Sequence, residues 1–198
     1  MLRSRISRSA LLAVSIGIFG VLGAQNAGAE GDGHVFLRFA GDFIQRLEQT
    51  DVDATGMPTG TSTLGLIRAK VRGNLGRADL TAVAKSGPPN SMSVGACPDG
   101  FTKVADIVRN NLVFTFYDLS LLYGDGRGFV CLNFATGEQY ATVEGEWLGG
   151  TGRFRNASGE FSINIDEFVE LDRFSDLSVN TQVVAETGTI TGTLSRAH

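Results

Sequence analysis

Apolar and polar residues alternate along most of the chain, the pattern of strands that bury one face and wet the other. In Ile67-Arg68-Ala69-Lys70-Val71-Arg72 the apolar residues take one side and the bases the other. Asn74-Leu75-Gly76 then turns the chain, and Ala78, Leu80, Ala82 and Ala84 share the next face. This is a hairpin whose inner surface is lined by small side chains. Leu112-Val113-Phe114-Thr115-Phe116-Tyr117 is apolar on both faces. Val130, Leu132 and Phe134 alternate with Phe129, Cys131 and Asn133 before a turn at Ala135-Thr136-Gly137. Ala141, Val143, Gly145 and Trp147 oppose Tyr140, Thr142, Glu144 and Glu146. Phe161, Ile163, Ile165, Val169 and Leu171 share one parity, and the threonines of Gly188-Thr189-Ile190-Thr191-Gly192-Thr193-Leu194 share another. Val104-Ala105-Asp106-Ile107-Val108 carries helical spacing as well as strand character, and we read a strand ending at Asn110-Asn111. Asp51 to Thr63, rich in Gly, Thr and Asp, predicts a surface loop. Many strands joined by short glycine turns, without a strong helical stripe, predict an all-β antiparallel barrel or sandwich.

The N-terminus follows a different logic. Arg3, Arg5 and Arg8 precede the uncharged run Leu11 to Leu22, which is short for a membrane span, and Ala27-Gly28-Ala29 offers small residues for a signal peptidase. The expected organisation is therefore a signal peptide at 1–29, cut before Glu30, and one domain at 30–198, secreted or periplasmic. Removing the three arginines takes the net charge from −4 to −7, which argues against nucleic acid or anionic membrane as a partner. Cys97 and Cys131 are the only cysteines, and in an oxidising compartment they should pair. With only two cysteines and two histidines, the usual zinc and iron sites are nearly excluded and no metal is expected.

The most specific segment is Gly149-Gly150-Thr151-Gly152-Arg153-Phe154-Arg155-Asn156-Ala157-Ser158-Gly159. Its glycines suggest a phosphate cradle, but no lysine follows as a P-loop requires and the next segment is a strand. A structural role is favoured, with Gly149, Gly150, Gly152 and Gly159 at bends or close approaches and Phe154 plugging the core. Gly124-Asp125-Gly126-Arg127-Gly128 is read as a hairpin turn. The eleven-residue motif, followed by an amphipathic strand, resembles the pattern of plant dirigent proteins and, more loosely, of allene oxide cyclases and secreted bacterial proteins sharing their barrel. The resemblance covers about Val113 to Leu194. It implies an eight-stranded antiparallel, calycin-like β-barrel, often a homo-oligomer, whose lumen holds a hydrophobic small molecule. In the enzymatic relatives cavity shape selects one cyclisation or coupling geometry.

Other constellations are weaker. His34 is close to the expected mature N-terminus, which disfavours a catalytic triad. Glu144 and Glu146 are expected to face water, and the stripe of Asp166, Glu170 and Asp172 is too extended for a tight calcium loop. Catalytic residues are not assigned. The expected ligand-binding side chains are Trp147 and Val143 inside the barrel, with Tyr117 and Tyr140 at its rim. The inner residues Ala69, Ala78, Ala82, Ala84, Ala141 and Gly145 are small enough to leave lumenal space. Three functions follow from this: a carrier of an apolar small molecule without cofactor, a cofactor-independent cyclase or isomerase, or a solid structural barrel. The scarcity of titratable groups on the inner parity weighs against the enzyme.

Overall fold

A computed structural model describes residues 33–52, 58–88, 97–175 and 180–196. The signal peptide expected at 1–29 lies outside them. Strands β1 (Gly33–Val52), β2 (Pro58–Gly73), β3 (Gly76–Gly87), β4 (Thr102–Phe116), β5 (Leu121–Leu132) and β6 (Gln139–Gly150) pair in sequence order. A single helical turn at Gly152–Phe154 and the two-residue β7 (Ala157–Ser158) lead into β8 (Glu160–Ser175) and β9 (Asn180–Arg196). Every ladder is antiparallel. Because β9 pairs with β1 as well as with β8, the eight long strands close into a barrel.

The hairpin expected from Ile67 onward forms as β2 and β3, with Ala78, Leu80, Ala82 and Ala84 buried and Lys70 and Asp79 bridged on the outside. Ala141, Val143 and Trp147 are buried as their alternation implies. Cys97 and Cys131 form a disulfide, which ties the segment before β4 to the wall of β5.

Four details differ from the sequence reading. Pro58 to Thr63 is strand rather than loop, because β2 follows β1 as far as the Val52–Pro58 pair. The strand at 104–108 continues through Asn110 to Phe116, its register slipping between Ile107 and Asn110. Gly124 to Gly128 is the middle of β5 and no turn: side chains there would strike Phe161, Val143 or the Thr142 carbonyl, so glycine is what lets the walls approach. The turn lies earlier, around Leu119, whose φ is 64°. In β8 a bulge between Ile165 and Glu167 switches the parity, so Phe168 packs against the core while Val169 is exposed.

The two ends of the barrel differ. At one end Leu37, Val71, Leu80, Phe114, Phe116, Leu122 and Ile190 fill the interior, with Trp147 against Phe114 and Phe161. Phe154, with no exposed surface, caps this end against Phe116. The other end holds a cavity.

Candidate functional site

Residues 183–194 of β9 alternate, so Val184, Glu186, Gly188, Ile190 and Leu194 face inward. The lower three belong to the packed end or its border, whereas Val184 and Glu186 reach the cavity. Its volume is about 420 Å³, and its walls are mainly apolar: Phe43, Ile67, Ala84, Ala105, Ile107, Val130, Ala141, Val143, Ile165 and Phe168. Small residues set its width. Ala84 on β3 and Ala141 on β6 leave room, whereas at the packed end the space beside Gly145 is taken by the Phe161 ring.

Glu186 is the only ionisable side chain among the described lining residues. It is 2% exposed, and its Oε1 has no hydrogen-bond partner. Burial, with a smaller contribution from the Asp42 carboxylate, pushes its pKa from 4.5 up to about 7. Asn110 on β4 is also buried, and its Oδ1 is also unpartnered. An unpaired buried oxygen costs on the order of 1–3 kcal/mol, so two in one apolar cavity call for an explanation.

The ladders place these two groups opposite each other. From Asn110 the pairs run through Ala84, Gly65 and Gln45 to Gln182 on β9. The other way round they run through Gly126, Gly145 and Phe161 to Gly192. The two routes reach β9 ten residues apart, which is the stagger of a tilted closed barrel. The midpoint falls beside Glu186, so Glu186 and Asn110 stand on facing walls at nearly one height.

Of the side chains expected to bind a ligand, Val143 lines the cavity. Trp147 does not: it is buried in the packed end, and its indole N–H donates to the Thr193 carbonyl at 3.1 Å. Tyr140 lies on the outer face, where its hydroxyl donates to Asn164 Oδ1 at 2.8 Å. Tyr117 is 77% exposed beyond the packed end. Glu144 and Glu146 face solvent, and Glu144 accepts a hydrogen bond from Ser162. The sequence reading missed Glu186 and Asn110. One further step of the alternation back from Gly188 would have reached Glu186. Asn110 was hidden by the slip in β4, which makes Ile107 and Asn110 both buried despite opposite parity.

The glycine motif builds the opposite end. Gly149, Gly152 and Gly159 have positive φ, and a side chain at Gly150 would meet the Leu121 carbonyl. The Arg153 guanidinium lies over Phe154 and Phe116 and donates to the Leu75 carbonyl at 2.8 Å, while Arg196 covers Phe154 from another side. The motif therefore closes the packed end, remote from the cavity. Among the described residues no group of three or more His, Cys, Asp or Glu could hold a metal ion.

No protein-family model, curated protein or solved structure matches the chain.

Proposed function

We propose that the protein is an exported barrel that holds an apolar small molecule in the open half of its lumen. The observation that carries this reading is the cavity of about 420 Å³ with apolar walls and two buried polar groups. That volume is within the usual range for small-molecule sites, and eight strands are enough to enclose one ligand. The disulfide and the leader-like N-terminus support export. A solid structural barrel has no use for such a space. The test is to fill it: Ala84→Phe and Ala141→Phe should abolish calorimetric binding of apolar probes while the protein stays folded. Wild-type protein that binds no apolar probe and carries no molecule extractable into organic solvent would defeat the reading.

One observation favours a second reading, a cyclase or isomerase of the kind that the glycine motif resembles. A carboxyl group with its pKa near neutrality in a shielded cavity can give or take a proton at working pH. This reading requires that a bound molecule be converted, and that Glu186→Gln stop the conversion while the molecule still binds.

A further inference from the structure

The orphaned oxygens say more about the occupant than the apolar walls do. Both Glu186 Oε1 and Asn110 Oδ1 can accept a hydrogen bond, they come from opposite walls, and neither has a partner. Among the described lining residues no cation neutralises the carboxylate. An occupant with apolar surface alone would leave both oxygens buried and unpaired, and an anionic occupant would add repulsion. A donor placed between the two walls removes the penalty.

Resting on the lumen-binding reading above, we propose that the ligand is an apolar molecule bearing a hydrogen-bond donor, held between Glu186 and Asn110. The donor is a hydroxyl or a protonated amine. An ammonium has hydrogens for both oxygens, whereas a hydroxyl donates its one hydrogen to Asn110 Oδ1 and accepts from Glu186, so the two differ in what they ask of Glu186. An ammonium group requires the carboxylate as its counter-ion. A hydroxyl satisfies both walls when Glu186 is protonated, donating to Asn110 Oδ1 while accepting from the Glu186 carboxyl. The neutral-to-acidic balance imposed by burial keeps both states accessible. Phe43, Ala84, Ala141 and Phe168 supply the apolar wall around that polar waist.

Four naphthyl probes of nearly the same shape test this by calorimetry on the intact protein: naphthylethanol, naphthylethylamine, naphthylethyl methyl ether and naphthylacetate. The alcohol, the amine or both should bind about tenfold or more tightly than the ether, the cost of leaving buried acceptors unpaired. Naphthylacetate should bind no better than the ether. Glu186→Gln and Asn110→Leu separate the sources. If the donor is an ammonium, Glu186→Gln removes the amine's advantage over the ether; if it is a hydroxyl, the alcohol keeps its advantage in that variant and loses it in Asn110→Leu. The series on wild-type protein stands even where a variant fails to fold. An ether that binds as tightly as the alcohol and the amine overturns the clamp and leaves the apolar-lumen reading standing, as does preferential binding of naphthylacetate. Failure of all four to bind defeats the lumen reading itself, and the clamp with it.

Discussion

Glu186 makes the fold sensitive to pH in a direction set by its raised pKa. An acid that ionises near 7 in the folded protein and at its ordinary 4.5 in the unfolded chain holds its proton more tightly when folded. Its contribution is therefore most favourable below about 4.5, declines as pH rises to about 7, and is flat beyond, a total of about 3 kcal/mol. Glu186→Gln should flatten that decline and be more stable than wild type at alkaline pH. Urea denaturation of both proteins across this window is the check; parallel curves would show that Glu186 is not buried as described. Gly159 is a second position where one residue decides. Its φ is +127°, and a Cβ there would point into the Thr193 carbonyl. Gly159→Ala should cost at least about 1–2 kcal/mol by the same measurement.

Among the elements, those with uninterrupted alternation were the legible ones. β2, β3, β6 and β9 put their small and branched residues inside as their parity implies, because a buried face repeats every second residue. Parity failed where a strand slips. The shift in β4 hid Asn110 and the bulge in β8 turned Val169 outward, and both depend on neighbouring strands that local sequence does not reveal. Gly124 to Gly128 misled for a related reason: glycine marks a turn when viewed locally, but here it marks walls too close for a Cβ. Trp147 faces inward as its parity implies and lies in the packed end, a position that alternation does not report, since it gives the side of a wall and not the height along it. The cap formed by the glycine motif has its own prediction. Arg153→Ala removes the donor to Leu75 and the cover over Phe154, and should lower stability by about 1–2 kcal/mol. Its exposed pair with Asp118 should add little, so Asp118→Ala should cost chiefly the Ser120 N–H bond to the Asp118 carboxylate, about 1 kcal/mol.

At the scale of the whole molecule, one covalent link and one seam hold the ring. The Cys97–Cys131 bridge spans 34 residues of sequence, and its reduction should lower stability by about 3–4 kcal/mol in the chain-entropy model, read as a shift of the urea midpoint in reductant. Every other barrel pairing joins neighbours along the chain or strands separated by a short connection. The β1–β9 pairing alone brings together residues as distant as Gly33 and Leu194. Until it forms, β1 and β9 are two open edges with unpaired backbone, ready to accept a strand from another molecule. Closure must also overcome the entropy of nearly the full chain, which places it late in folding. A ring whose first strand waits for its last cannot finish folding while it is still being delivered from one end. Refolding yield should accordingly fall as protein concentration rises, and a chain ending before Asn180 should remain an open sheet that recruits copies of itself.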